Sequence, residues 1–321
     1  MRVFVTRGLP GSALERLAAE HELDVWPERL PPPPGELRAR AVEAQGLLCL
    51  LTDTVDAELI AAAGSLRAIS NYAVGVDNVD VRAAGERGIP VGNTPGVLTE
   101  STADLAVALI LGASRRLAEG DAYVRRGTWR TWEPDLLLGR DLHAATVGIV
   151  GHGRIGRAVA RRLEGFGCTL LFTGRTSGMP LEELLERSDF VTLHTPLTAS
   201  TRGLIGERAL QRMKPTAYLV NTARGPVVNT EALVLALHEG QIAGAALDVT
   251  DPEPLLAGHP LLDAPNLLVV PHLGSATHAT RERMADLAVD NLLAALAGER
   301  MPHCVNPAVY GPSAPPTPPG P

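Results

Sequence analysis

The sequence predicts an α/β fold with two doubly wound parallel sheets, and two observations lead to this prediction. Short apolar runs typical of buried strands alternate with helix-like segments along the chain, which is the pattern of parallel βαβ units. The alternation occurs in two successive series, and a chain of 321 residues is long enough for two ordinary domains.

The first series contains predicted strands at residues 3–5, 23–26, 47–51, 68–71 and 89–91. Helical patterns cover residues 12–20 and 55–63, between these strands. The consecutive prolines at residues 31–34 predict a loop, because proline continues neither a helix nor a strand ladder.

The second series contains predicted strands at residues 146–150, 169–173, 190–193, 218–221, 245–249 and 267–270. Helical patterns at residues 157–164, 181–186 and 230–238 alternate with them. This series predicts one doubly wound domain of the type that binds dinucleotides.

Two helices are expected to connect the domains. A long apolar helix over residues 99–117, with a possible cap formed by Ser101 and Asp104, carries the chain into the second domain. A helix over residues 280–297 returns it to the first. The predicted domains are therefore residues 1–98 with 281–310, and residues 99–280. The segment 311–321 consists mostly of proline and small residues and is expected to be disordered.

Composition and charge argue against several classes of function. The net charge of −7 provides no basic surface for nucleic acid or an anionic membrane, and no apolar run approaches the roughly 20 residues that span a bilayer. The first residues form a strand-like run without a signal-peptide pattern, and the three cysteines are widely separated, so reduced thiols and a cytoplasmic location are expected. The histidines show no metal-ligand spacing, so no metal site is expected.

A glycine-rich turn, Gly-His-Gly-Arg-Ile-Gly at residues 151–156, stands between a predicted strand and a predicted helix. In this context Gly151 allows the tight turn, Gly153 lets the backbone approach a pyrophosphate, and Gly156 permits close helix–strand packing. The helix N-terminus then supplies N–H groups to the phosphates. The alternative is a turn whose glycines serve packing alone. The side chain of His152 is expected to point to solvent.

The second strand of this series ends without the acidic residue that usually binds the ribose diol of NAD. Arg175 stands there instead, followed by the hydroxyls of Thr176 and Ser177. A guanidinium would bind a 2′-phosphate that a carboxylate would repel, so the sequence favours NADPH, with NADH possible. The alternative is a solvated arginine and weak selectivity.

Three polar residues, Arg224, Glu253 and His272, each follow a different predicted strand. Ligands bind beyond the carboxyl ends of the strands in open α/β sheets, so these side chains are expected beside the cofactor. Arg224 could hold the carboxylate or carbonyl of a 2-keto acid, and His272 could protonate the carbonyl oxygen. Glu253 could bind the other ring nitrogen of His272. Taken alone, each of them has a strong structural reading, and a histidine at a strand end is more often structural; three such residues after three different strands weaken that reading.

Five segments carry a resemblance to a known family, at residues 71–78, 151–156, 221–225, 247–254 and 271–277. The chain resembles the D-isomer-specific 2-hydroxyacid dehydrogenases over about residues 1–307, and within that family the glyoxylate/hydroxypyruvate reductases. The resemblance implies a Rossmann-type cofactor domain inserted in a flavodoxin-like substrate domain. It also implies the roles of Arg224, Glu253 and His272 given above.

The resemblance implies further site residues. The backbone of Val74 and Gly75 would receive the substrate carboxylate, and Leu51 and Trp132 would lie near the same small pocket. The arm at residues 127–132 matches one that crosses to a partner subunit in the family, which implies a homodimer. Ordinary packing is the alternative for Trp129 and Trp132.

The resemblance also implies cofactor contacts. Asp248 would hold the nicotinamide carboxamide, Thr102 would touch the phosphates, and Thr195 and Pro196 would line the adenosine side. The glycines of the turn, and Arg175 with Thr176, are cofactor contacts as described above. The remaining implied cofactor contacts are Arg154, Ile155, Gly174, Thr222 and Gly274.

The expected function is NADPH-dependent reduction of glyoxylate and hydroxypyruvate to glycolate and D-glycerate. An NAD-dependent D-3-phosphoglycerate dehydrogenase, or another D-2-hydroxyacid dehydrogenase, is the enzymatic alternative. A dinucleotide-sensing regulatory protein that kept the fold is the alternative of another class.

Overall fold

A computed structural model describes residues 1–175 and 178–311. The chain divides into two compact units. The first comprises Met1–Leu98 together with the segment that begins at Thr277, and the second comprises Thr99–Ala276. Two segments lie outside the described residues, namely Thr176 with Ser177 and the segment 312–321. Part of the prediction of NADPH binding concerns the first segment, and the predicted disorder of the tail concerns the second.

Strands and helices are numbered here in chain order. The strands are β1 Arg2–Val5, β2 Glu22–Val25, β3 Gly46–Cys49, β4 Ala68–Asn71, β5 Val91–Gly92, β6 Thr146–Val150, β7 Thr169–Thr173, β8 Phe190–Leu193, β9 Tyr218–Asn221, β10 Gly244–Leu247 and β11 Leu267–Val269. The α-helices are α1 Ala13–Glu20, α2 Pro34–Glu43, α3 Ala57–Ala62, α4 Val81–Glu86, α5 Thr99–Ser114, α6 Leu117–Arg125, α7 Arg154–Glu164, α8 Leu181–Arg187, α9 Glu207–Arg212, α10 Thr230–His238 and α11 His278–Leu296.

The first unit contains a parallel five-stranded sheet in the order β2-β1-β3-β4-β5. This is the doubly wound order of flavodoxin-like folds. Every residue of β3 and β4 is buried, as expected for parallel strands covered on both faces. On one face α11 packs through Met284, Ala288 and Leu292. Asp56 and Asp80 cap α3 and α4 by accepting backbone N–H bonds.

The second unit contains a parallel six-stranded sheet in the order β11-β10-β9-β8-β6-β7. Its two faces are covered by separate apolar clusters, one around Leu219 and Leu247 and the other around Ile149 and Val220. The chain leaves β6 toward β7 and then returns to β8 on the other side of β6. This reversal is a topological switch point, where doubly wound sheets bind their ligands. The two sheets confirm the predicted fold class.

The predicted long helix over residues 99–117 is wrong in two details. The helix α5 begins at Thr99 as predicted, but Ser101 therefore lies within its first turn rather than at its cap, and Asp104 pairs with Arg162 at 2.6 Å. The helix ends at Ser114, because Arg116 adopts a left-handed backbone (φ 52°) before α6 starts. In the part of the chain that the structure describes, no helix combines the length and apolarity needed to cross a membrane.

Candidate active site

Arg224, Glu253 and His272 all lie in the second unit, on the loops that follow β9, β10 and β11. Because these strands are parallel and adjacent in the sheet, their three loops emerge at the same edge. The structure therefore brings the loops of the predicted catalytic residues to one edge of one sheet.

Glu253 and His272 form a direct pair. The carboxylate oxygen Oε1 of Glu253 lies 2.6 Å from Nδ1 of His272, and both side chains are partly exposed. A carboxylate at Nδ1 fixes the ring orientation and leaves Nε2 as the nitrogen that can exchange a proton with a ligand. The pairing inferred from the sequence is present, whereas the role of His272 as proton donor stays a prediction.

The backbone of His272 adopts the left-handed region, with φ of 54°. A non-glycine residue holds this conformation only where its surroundings impose it. Here the N–H of His272 donates to the carbonyl of Asp248 at 2.9 Å, and the Asp248 carboxylate accepts from the N–H groups of Leu273 and Gly274. These bonds fix the turn that presents the imidazole.

Asp248 is buried, with 2% of its surface exposed. Burial raises the pKa of its carboxyl, and the N–H groups of Leu273 and Gly274 act in the opposite direction by stabilising the ionised form. Gly274 is also bound from the other side, because the hydroxyl of Thr102 donates to its carbonyl at 3.1 Å. The structure thus brings together three predicted cofactor residues, Thr102, Asp248 and Gly274, and their contact with a cofactor stays a prediction.

The Arg224 loop is shaped by its neighbours on both sides. Asn221 accepts from the N–H of Ala223 at 3.0 Å and donates to the carbonyl of Arg224 at 2.9 Å, so its side chain closes the turn after β9. A Cβ atom on Gly225 would lie 1.8 Å from the carbonyl oxygen of Thr250. Only glycine therefore allows the Arg224 loop to lie directly against the loop that carries Glu253. Neither Asn221 nor Gly225 was predicted to have a role of its own.

The glycine turn after β6 has the shape that a dinucleotide requires. Gly151 has φ of 100°, and a Cβ there would lie 2.5 Å from the carbonyl oxygen of His194. A Cβ on Gly156 would lie 2.0 Å from the carbonyl oxygen of Gly151, whereas Gly153 faces open space. Among the described residues no side chain caps α7, whose first turn also contains the exposed Arg154 and the half-buried Ile155. These open N–H groups fit a pyrophosphate.

His152 does not point to solvent, so that expectation was wrong. Its ring lies on the ring of Phe172 in β7, with the centroids 4.5 Å apart, and its side chain is half-buried. Covering the half-buried face of Phe172 removes apolar surface from water.

His194 follows β8 at the switch point, and no role was predicted for it. Its Nε2 lies 3.0 Å from the hydroxyl of Thr192 and its Nδ1 lies 3.3 Å from the hydroxyl of Thr222. Burial lowers the pKa of the ring to about 3, so it is neutral at physiological pH. His194 links the β8 end to the Arg224 loop. Its position after a strand of the same sheet was the available signal.

The residues predicted to line the adenosine side of the cofactor differ in exposure and in their hydrogen bonds. Gly174 and Arg175 are exposed at the end of β7, and no described residue pairs with the Arg175 guanidinium. Thr176 lies outside the described residues. Thr195 is half-buried after β8, and the carbonyl of the exposed Pro196 accepts from the hydroxyl of Thr201 at 2.6 Å.

The predicted substrate residues divide between the two units. Leu51 follows β3, and Val74 and Gly75 follow β4, at the carboxyl edge of the first sheet. Trp132 belongs to the second unit, where it is 78% exposed between α6 and β6. Within the described residues, no three His, Cys, Asp or Glu side chains are grouped closely enough to hold a metal ion.

A glycine turn at a switch point, with an ionisable pair beyond two other strands at the same edge of the sheet, is the arrangement of an oxidoreductase that uses a nicotinamide dinucleotide. The profile of the D-isomer specific 2-hydroxyacid dehydrogenase NAD binding domain matches residues 107–274. The chain belongs to this family.

Similarity to individual proteins extends along most of the chain. A glyoxylate reductase of Korarchaeum cryptofilum is 50% identical over 317 residues, covering 95% of this chain and 96% of that protein. A crystal structure of a Thermus thermophilus protein is 52% identical, with a TM-score of 0.89 and coverage of 95% of this chain and 100% of that one. An NADPH-dependent glyoxylate/hydroxypyruvate reductase of Sinorhizobium meliloti, solved with NADP and malonate, is 35% identical with a TM-score of 0.83, covering 95% and 96% of the two chains.

Proposed function

We propose that this protein reduces glyoxylate and hydroxypyruvate to glycolate and D-glycerate, with NADPH as the preferred cofactor. The observation that carries the proposal is the Glu253–His272 pair, at 2.6 Å, on the same sheet edge as the Arg224 loop. The names of the Korarchaeum cryptofilum and Sinorhizobium meliloti relatives support this choice of substrates. The unit Thr99–Ala276 would bind the cofactor and the other unit the substrate carboxylate.

The bound reduced nicotinamide would supply a hydride to the carbonyl carbon of the keto acid. His272 would donate the Nε2 proton to the carbonyl oxygen, and Glu253 at Nδ1 would hold the ring in the orientation that this transfer needs. Arg224 would hold the keto acid through its planar guanidinium, which suits a carboxylate or carbonyl better than a lysine ammonium does. Proton donation of this kind contributes roughly 10²–10⁴-fold to a rate.

The substrate carboxylate would bind the backbone N–H groups of Val74 and Gly75. Leu51 and Trp132 would limit the size of the substrate, which suits two- and three-carbon keto acids. In the second unit Asp248, Thr102 and Gly274 would contact the cofactor in addition to holding the His272 turn, because carboxylate and carbonyl oxygens can accept more than one hydrogen bond.

NADPH would be selected by Arg175 with Gly174 and Thr176. Two features support this choice, namely the exposed Arg175 guanidinium without a described partner and the absence of a carboxylate at the end of β7. A 2′-phosphate would form charge-assisted hydrogen bonds with this arginine. The remaining proposed contacts on the adenosine and phosphate sides are Gly151, Gly153, Arg154, Ile155, Gly156, Thr195, Pro196 and Thr222.

A homodimer is proposed from the arm that contains Trp132. Trp129 and Trp132 are 57% and 78% exposed, and Leu138 further along the same segment is 66% exposed. Large apolar side chains grouped at a surface indicate an interface with another protein. Trp132 would then complete the site of the partner subunit.

The experiment that tests the proposal measures initial rates with glyoxylate and with hydroxypyruvate, each with NADPH and with NADH. Turnover of both keto acids with a preference for NADPH is the expected result. A preference for NADH would overturn the cofactor assignment while keeping the reaction. A lack of turnover with both keto acids would overturn the proposed substrates.

A further inference from the structure

The two N–H groups proposed to bind the substrate carboxylate belong to peptide planes whose other ends are already held. In a trans peptide the carbonyl of one residue and the N–H of the next point in opposite directions, so fixing the carbonyl aims the N–H. The carbonyl of Ala73 accepts from the N–H of Thr94 at 2.9 Å, which fixes the N–H of Val74. The carbonyl of Val74 accepts from the side-chain amide of Asn93 at 2.8 Å, which fixes the N–H of Gly75.

Asn93 is itself firmly placed. Its backbone carbonyl accepts from the side-chain amide of Asn291 at 2.9 Å, and its N–H donates to the carbonyl of His303 at 3.2 Å. Asn291 is fully buried and accepts from the N–H of His303 at 2.9 Å. The donor that orients the Val74–Gly75 plane is therefore attached to α11 and the segment after it.

The rest of the loop has separate support. The side-chain amide of Asn71 donates to the carbonyl of Gly75 and to Asn78 Oδ1, both at 2.9 Å. Asn78 in turn donates to the carbonyls of Leu50 and Asp53, each at 3.0 Å. These two bonds attach the turn that contains Leu51 to the same loop. Because these bonds do not involve Asn93, losing its side chain frees one peptide plane without releasing the loop.

We propose that Asn93 is a positioning residue for carboxylate recognition, acting through the Val74–Gly75 peptide plane to aim the Gly75 N–H at the substrate. This inference rests on the proposed function, in which that N–H receives the keto-acid carboxylate. Asn93 touches neither the reacting atoms nor the cofactor in this scheme. Its removal weakens substrate binding and leaves the chemical step in place.

The test compares Asn93→Leu, which keeps the approximate shape but has no donor, with Asn306→Leu as the control. Asn306 is equally half-buried in the same unit, its side-chain amide donates to the carbonyl of Ile89 at 2.9 Å, and its Oδ1 accepts from the N–H of Val91 at 2.8 Å. This control therefore loses more hydrogen bonds than Asn93→Leu does, but none to the Val74–Gly75 plane. Asn93→Leu should raise the KM for glyoxylate and the Ki of oxalate about tenfold, the loss expected when one hydrogen bond to a charged group is weakened. The kcat and the KM for NADPH should stay within about threefold. The milder Asn93→Ser replaces it if the leucine variant does not fold.

Oxalate binding to the cofactor-loaded protein, measured by calorimetry, separates this inference from the proposed function. If the wild-type protein turns over neither glyoxylate nor hydroxypyruvate, the proposed function fails, and oxalate binding alone decides the role of Asn93. Oxalate binding that is equal in the wild-type and Asn93→Leu proteins, or absent from both, would overturn the inference. So would a KM for Asn93→Leu that rises no more than that of Asn306→Leu.

Discussion

Replacing Gly225 by alanine tests whether the contact between two loops sets the geometry of the site. The added Cβ would lie 1.8 Å from the carbonyl oxygen of Thr250, whereas ordinary contacts begin at 3.4 Å. The two loops would have to separate by about 1.6 Å, the difference between these distances. The backbone of Gly225 does not occupy the left-handed region, so the effect comes from lack of space alone.

The expected loss in Gly225→Ala is at least about 100-fold in kcat/KM for glyoxylate, because misplacing a catalytic group by ~1 Å can cost 10²-fold. Arg224 and Glu253 would both move, since each lies on one of the separated loops. Overpacking of this kind also lowers the free energy of unfolding by roughly 1–3 kcal/mol. Binding of NADPH should largely persist, because most of the proposed cofactor contacts, including the glycine turn after β6, lie on other loops than Gly225.

The assay measures kcat/KM, the Kd of NADPH by fluorescence and the Tm of Gly225→Ala beside Gly165→Ala. A Cβ on Gly165 meets its nearest atom, the Arg162 carbonyl oxygen, at 3.7 Å, so this control should behave as the wild-type protein does. If the kcat/KM of Gly225→Ala stays within about threefold of the wild-type value and its Tm equals that of Gly165→Ala, the loop contact does not set the catalytic geometry.

Three further predictions concern single side chains. His272→Ala should lower kcat by ~10²–10⁴-fold with the Kd of NADPH unchanged, and a near-normal kcat would remove His272 from the mechanism. Arg175→Ala should raise the KM for NADPH far more than that for NADH, and equal effects would show that Arg175 does not bind the 2′-phosphate. The pKa of His194 is lowered from 6.5 to about 3 in the folded protein, so the ring is neutral there. Between these pH values the unfolded state binds one more proton than the folded state, and the free energy of unfolding therefore falls as the pH drops from about 6.5 toward 3. His194→Gln should reduce the slope of unfolding free energy against pH in this window by up to about 1.4 kcal/mol per unit, and an unchanged slope in urea unfolding at pH 4–6.5 would contradict a ring that is neutral in the folded state.

The sequence predicted the strands well because each is a short apolar run with polar or turn residues at its ends. Where a boundary differs the cause is local: the strand expected at residues 89–91 is Val91–Gly92, since Pro90 has no N–H to donate to a ladder. Helix α6 was not predicted, because Leu117–Arg125 contains Gly120 and lacks a buried face. The start of α5 at Thr99 was predicted correctly, and the expected cap at Ser101 was wrong because a capping pattern can occur by chance inside a helix.

The part of the candidate site that was predictable from the sequence consists of residues whose own side chains carry the chemistry. Arg224, Glu253 and His272 could be found because they are polar residues in the loops that follow strands of a parallel series. The support around them could not be found in this way. His194 resembles a solvent-exposed histidine until the hydroxyls of Thr192 and Thr222 are seen at its two nitrogens.

The reason lies in the kind of contact that assembles the site. The Arg224 and Glu253 loops meet through Gly225 and the backbone carbonyl of Thr250, and the His272 turn is attached through the backbone carbonyl of Asp248. Every residue carries such backbone atoms, so no side-chain pattern in the sequence reveals which of them will meet. The geometry of the site therefore depends on positions where main chain touches main chain, and at Gly225 a single added methyl group should disturb catalysis although no side-chain contact of the site is removed.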